Sequence, residues 1–100
     1  MNLLLRTIMQ ERQRIENMLT RYETELLTLP KGSISEKRSG EKSYFYLKYR
    51  DGKRIVSKYI SRQKVDEVRD CLERRKHIEA MIHSLQEEKS MADKILEGRL

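Results

Sequence analysis

The stretch Ser43-Tyr44-Phe45-Tyr46-Leu47-Lys48-Tyr49-Arg50-Asp51-Gly52-Lys53-Arg54-Ile55-Val56-Ser57-Lys58-Tyr59-Ile60 decides the fold. Its halves are rich in aromatic and β-branched residues and meet at Asp51-Gly52, a pair that tolerates the positive φ of a two-residue hairpin turn. A turn centred there sets Arg50 opposite Lys53, Tyr49 opposite Arg54, Leu47 opposite Val56 and Tyr44 opposite Tyr59. Successive side chains of a strand point to opposite faces. Phe45, Leu47, Tyr49, Val56 and Ile60 therefore share an apolar face expected to lie on helices. Tyr44, Tyr46, Lys48, Arg50, Lys53, Ser57 and Tyr59 share the other with Ile55. A preceding strand, Gly32 to Arg38, joins through a turn at Ser39-Gly40 and sets Ile34 beside Phe45, which completes a three-stranded antiparallel sheet.

On either side the hydrophobic period becomes helical. Before Pro30, residues Leu4, Leu5, Ile8, Ile15, Met18, Leu19, Tyr22, Leu26 and Leu29 recur at three- and four-residue steps, interrupted at Glu11 and Arg12. Pro30 disfavours helical geometry in the residue before it and Gly32 releases the chain, so the first helix is expected to end near Thr28. After Ser61, read as an N-cap, Val65, Val68, Leu72, Ile78, Ile82, Leu85, Ala92, Ile95 and Leu96 form a second stripe, broken at Arg75 and Lys89, with Gly98 as its stop. The expected architecture is α+β in one domain. Residues 1–29 form a long helix, 31–60 the basic sheet and 61–97 a second long helix antiparallel to the first. Counting outward from the sheet leaves the second helix unpaired beyond Lys89. Ala92, Ile95 and Leu96 are then expected to mediate self-association, most simply as a homodimer.

With 100 residues, 37% apolar and 38% charged, the chain must have a core that is thin or completed by another chain, and a deeply pocketed enzyme is disfavoured. The net charge is +6, and its distribution is uneven. Residues 31–62 hold ten basic side chains (Lys31, Lys37, Arg38, Lys42, Lys48, Arg50, Lys53, Arg54, Lys58, Arg62) and three acidic ones (Glu36, Glu41, Asp51), whereas the helical segments together are nearly neutral. Tyr44, Phe45, Tyr46, Tyr49 and Tyr59, five of the six aromatics, lie in the same segment. Tyr is a good strand former and Lys guards strand edges, but edge protection does not require charges of one sign. Cations interleaved with Tyr suit phosphate contact combined with packing on sugars or bases.

Lys31-Gly32-Ser33-Ile34, Tyr44-Phe45-Tyr46 and Tyr49-Arg50-Asp51-Gly52-Lys53-Arg54, followed by a Lys-containing entry into a helix, resemble the three-stranded arm-binding domains of phage tyrosine recombinases. The resemblance covers about residues 31–76 and implies a sheet that enters the DNA major groove. The strand-to-helix junction departs from that family's Thr-Lys-x-Glu-Ala type of sequence, reading Ser61-Arg62-Gln63-Lys64-Val65-Asp66-Glu67, and no recombinase catalytic domain follows. The whole chain is also similar to small bacterial proteins of phages and mobile elements.

Catalytic and metal chemistry is not expected. His77 and His83 lie about 240° apart around a helix, Cys71 falls among apolar positions as a small hydrophobe, and no phosphate loop or nucleophile motif is present. No cofactor is implied. No secretory leader or membrane span is read, so the expected location is the cytoplasm. The expected function is non-enzymatic nucleic-acid binding, on duplex DNA, through Lys37, Lys42, Tyr44, Tyr46, Lys48, Arg50, Lys53, Arg54, Lys58 and Tyr59. The alternative is a phage-encoded inhibitor, anti-CRISPR-like or otherwise anti-defence, that binds an acidic surface of a host nuclease or its nucleoprotein complex with the same residues.

Overall fold

Asn2 starts the first helix, because its side-chain oxygen accepts a 2.8 Å hydrogen bond from the Leu5 N–H and satisfies a donor with no partner inside the helix. The computed structural model describes residues 2–98, so Met1, at the head of the expected helix, lies outside the described residues. Helix α1 spans Leu3–Leu26, strands β1, β2 and β3 span Ser33–Ser39, Lys42–Asp51 and Arg54–Ile60, and helix α2 spans Val65–Leu96. The expected α+β order of helix, three-stranded antiparallel sheet and long helix is observed.

The helix ends differ in detail from expectation. Helix α1 stops two residues before Thr28, whose N–H and hydroxyl both donate to the Glu25 carbonyl, at 2.9 and 2.7 Å, and close the last turn. Ser61 precedes a short 3-10 turn, Arg62–Lys64, and its side chain makes no capping bond. Asp66 and Glu67 instead place negative charge in the first turn of α2, where the helix dipole favours it. Gly98 stops α2 as expected, with φ +69° and its N–H on the Ile95 carbonyl. Among the described residues, no helix is long and apolar enough to cross a membrane.

The chain forms two compact units, one made of residues up to Thr28 together with those from His77 onward, the other of Leu29–Lys76. In the first unit the two helical segments are antiparallel. Arg12 reaches Asp93 at 3.3 Å, and further along the pair Ile15 and Leu19 pack with Leu85, flanked by Met18, Tyr22 and Ile82. Ala92 is buried, and Ile95 and Leu96 are half-buried. The expectation that this end of α2 lacks a partner inside the chain is therefore corrected. The reason is that residues 65–76 of α2 belong to the other unit, so pairing with α1 begins about three turns later than counting from the sheet implies. Leu4, placed on the buried stripe by periodicity, is exposed. The polar breaks in the stripes have partners: Arg12 and Lys89 both converge on the Asp93 carboxylate. At the helix surface, Glu11 and Arg14 form a forked ion pair with a shortest contact of 2.8 Å. The hydrogen bond from Arg14 holds the Glu11 carboxyl below the usual carboxylate range.

In the second unit the strands lie in the order β1-β2-β3. The observed register pairs Asp51 with Arg54, Tyr49 with Val56, Leu47 with Lys58, Tyr46 with Tyr59 and Phe45 with Ile60. This is two residues removed from the expected pairing of Arg50 with Lys53. The turn is centred on Gly52-Lys53, with Gly52 at φ +63° and no described non-glycine residue at positive φ. A glycine at the first central position suits a type II′ turn. Asp51 is thereby spared a left-handed conformation and faces Arg54 across the ladder, an attractive pair. The first hairpin repeats the arrangement with Gly40 at φ +65°. Ile34 consequently faces Leu47, and Glu36 faces Phe45, in place of the expected Ile34–Phe45 neighbours.

The start of β1 and the opening turns of α2 enclose a cleft of about 230 Å³ lined by Gly32, Ser33, Ile34, Arg69, Leu72, Glu73 and Lys76. Arg75, a polar break in the second stripe, donates to the Leu29 carbonyl at 3.1 Å. Gly32 is held at φ +120°, and a Cβ there would stand 2.1 Å from the Lys48 carbonyl oxygen. Backbone meets backbone at this point, so no side chain can move aside. Gly32→Ala is expected to lower stability by about 2 kcal/mol or more, measured by urea unfolding. A variant as stable as the parent would show that this close approach does not constrain the strand.

Candidate nucleic-acid interface

A shift of two residues in register leaves every side chain on its expected face, because the strand period is itself two. One face of the sheet carries Ile34, Glu36 and Arg38 from β1, Ser43, Phe45, Leu47, Tyr49 and Asp51 from β2, and Arg54, Val56, Lys58 and Ile60 from β3. The other carries Ser33, Ser35, Lys37 and Ser39 from β1, Lys42, Tyr44, Tyr46, Lys48 and Arg50 from β2, and Ile55, Ser57 and Tyr59 from β3. Both acidic strand residues, Glu36 and Asp51, lie on the first face. The second has four cations and no carboxylate among its strand residues.

Tyr46 occupies the middle of this basic face, half-buried on the central strand between Ser35 and Tyr59. The Tyr59 ring meets it edge to face, with centroids 5.9 Å apart and planes at 69°. Lys37, diagonal to it on β1, holds its ammonium 5.2 Å from the Tyr46 centroid, a cation–π contact that fixes both side chains. Tyr44 and Tyr59 are 37% and 61% exposed, so part of each ring is free for an outside partner. Lys42 stands toward one end of the sheet, and Lys48 and Arg50 toward the other, with Lys53 in the adjoining turn.

The structure thus brings together Lys37, Lys42, Tyr44, Tyr46, Lys48, Arg50 and Tyr59 and puts Lys53 at their margin. It places Arg54 and Lys58 on the opposite face. Arg54 faces Asp51, and Lys58 lies beside Leu47 with its ammonium 5.6 Å from the Tyr49 ring centroid. The serines of β1, absent from the expected site, complete the basic face with small hydroxyl groups able to donate or accept hydrogen bonds. Their signal is the spacing of Ser33, Ser35 and Ser39, which share one parity with Lys37.

Residues 5–70 match a family model described as a domain of unknown function (DUF6788), a span that takes in most of α1, the whole sheet and the opening of α2. No curated protein and no solved structure matches the chain.

Side chains exposed on a sheet surface contribute little to folding. Lys42→Ala and Arg50→Ala, at exposed positions on it, are expected to change unfolding free energy by no more than about 0.5 kcal/mol. Phe45→Ala, on the opposite face, is expected to cost about 2–3 kcal/mol by cavity formation in a half-buried site. Chemical unfolding of the three variants compares them. Equal losses in all three would make the basic face part of the structural core.

Proposed function

The chain belongs to the DUF6788 family, and from its own residues we propose that it is a nucleic-acid-binding module that holds duplex DNA against the basic face of its sheet. The observation that carries this reading is the sorting of charge by face. The side with Tyr44, Tyr46 and Tyr59 has Lys37, Lys42, Lys48 and Arg50 and no acid on its strands. Solubility or edge protection alone would leave the signs mixed. A polyanion favours one sign.

The dimensions suit the proposal. Three strands at about 4.8 Å spacing make a sheet about 10 Å across, close to the ~12 Å width of the major groove of B-DNA. From Lys42 to Arg50 the central strand covers roughly 26 Å, so the cations are spread along several phosphates. In this reading Lys42, Lys48, Arg50 and Lys53 contact phosphates and position the sheet. Tyr46, Tyr59 and the serines of β1 face sugars and base edges. The resemblance of residues 31–76 to phage recombinase arm-binding domains implies the same groove.

Gel shift and fluorescence titration on random-sequence duplex DNA test the proposal. Each neutralised phosphate contributes about −0.9 to the slope of log affinity against log salt, so four or five contacts give a slope of roughly −4. Removing Lys48 and Arg50 together is expected to weaken binding and lower the slope by about 2. Lys58→Ala, on the other face, should leave it nearly unchanged. No shift at about 50 mM salt would overturn nucleic-acid binding and turn the face toward an acidic protein surface.

A further inference from the structure

Strand β3 has β2 on one side and, among the described residues, no strand on the other. Two large apolar side chains lie along this edge on the basic face, Ile55 at 69% exposure and Tyr59 at 61%, with Ser57 between them. An isoleucine that open to solvent is unexplained by phosphate binding, and the unpaired backbone along an edge is a template for another strand.

We propose that β3 pairs antiparallel with β3 of a second copy of this chain about a two-fold axis at Ser57, forming one continuous six-stranded sheet. The ladder pattern decides which backbone groups are free. Residues flanking a two-residue turn exchange both hydrogen bonds, and the pattern alternates from there. Arg54, Val56, Lys58 and Ile60 therefore direct their N–H and C=O groups toward β2, leaving those of Ile55, Ser57 and Tyr59 pointing outward. Centring the axis on Ser57 sets Ser57 against Ser57 of the partner subunit and Ile55 against Tyr59 of the partner subunit, twice. All three pairs are then of the hydrogen-bonded kind, and every outward group on the seven-residue strand finds a partner.

Side chains agree with backbone in this register. Ile55 against Tyr59 is an aromatic–β-branched pair of the stabilising type. On the reverse face Arg54 meets Ile60 and Lys58 meets Val56, so no like charges stand directly opposite. The other edge fails the same comparison. Full-length self-pairing of β1, Ser33–Ser39, is centred on Glu36 and sets that carboxylate against its own copy. The charge pattern thus favours one edge over the other.

Residues directly opposite in one ladder share a face, so the two basic faces lie on the same side of the joined sheet, which at about 24 Å across is wider than one major groove and makes the monomer the form that enters it. The pairing itself does not depend on what that face binds, and its test needs no nucleic acid. Sedimentation equilibrium of the full chain is expected to show a monomer–dimer equilibrium. Ser57→Pro removes the outward N–H at the axis and spares the β2 ladder, so it should raise the dissociation constant about tenfold or more while the circular dichroism spectrum stays unchanged. As a second arm, Ser57→Cys in a Cys71→Ser background places two thiols across the axis at a backbone separation of about 5.5 Å, within disulfide range. Mild oxidation should give a covalent dimer. A monomer at all concentrations, open-ended assemblies, or a dimer that ignores Ser57→Pro and does not cross-link at position 57 would each overturn the proposal.

Discussion

The positive φ of Gly40 and Gly52, each at the first central position of a two-residue turn, is the constraint on which the sheet depends. A turn of that length leaves no slack, so the glycines set which residues face one another, and parity does the rest. Moving a turn by one residue at constant length shifts the register by two and keeps the faces, whereas a loop one residue longer or shorter would shift it by one and mix carboxylates into the basic face. Gly32 adds a third backbone condition at the entry to β1, where its chain passes too close to the Lys48 carbonyl for any side chain. Three of the four glycines thus serve the orientation of one surface.

Within that frame the two faces have different work. On the one bearing Phe45, Leu47 and Tyr49, charges occur with compensation: Arg54 faces Asp51, and Lys58 lies near the Tyr49 ring. On the other, Lys48 and Arg50 face Ser57 and Ile55, and only Lys37 is drawn onto an aromatic ring. Charge there is concentrated with no strand residue of opposite sign on the same face. Such an arrangement stores mutual repulsion, which a bound polyanion would relieve.

Much of this was legible in the sequence because hydrophobic period is a local property. Alternation in residues 43–60 and three- and four-residue steps on either side mark the helix–sheet–helix order, and parity along those residues picks out the cations and tyrosines of the basic face. The turn positions were less legible, since Asp51-Gly52 and Gly52-Lys53 both make two-residue turns and the choice depends on whether Asp51 must adopt positive φ. Arg54 and Lys58 entered the expected site by charge type, whereas their parity assigns them to the opposite side. The offset of the helix pair was not legible at all. Periodicity runs through α2 without a break, and nothing in it marks that residues 65–76 pack in one unit and later residues in another. The polar interruptions held part of that information, because Arg12 in the first stripe reaches Asp93 of α2 in the observed offset.

The interleaving of the two units along the chain also bears on how the molecule folds. Sheet contacts are local, closing over two tight turns, whereas Arg12 and Asp93 are 81 residues apart in sequence. Loop closure over such a span is entropically costly and slow relative to hairpin formation, which takes about 1–10 μs. A sheet that forms first removes most of the conformational freedom of the intervening coil and so lowers the entropic cost of that closure. The order of events implied is sheet first and helix pair second, with the basic face complete before the longest-range contacts close.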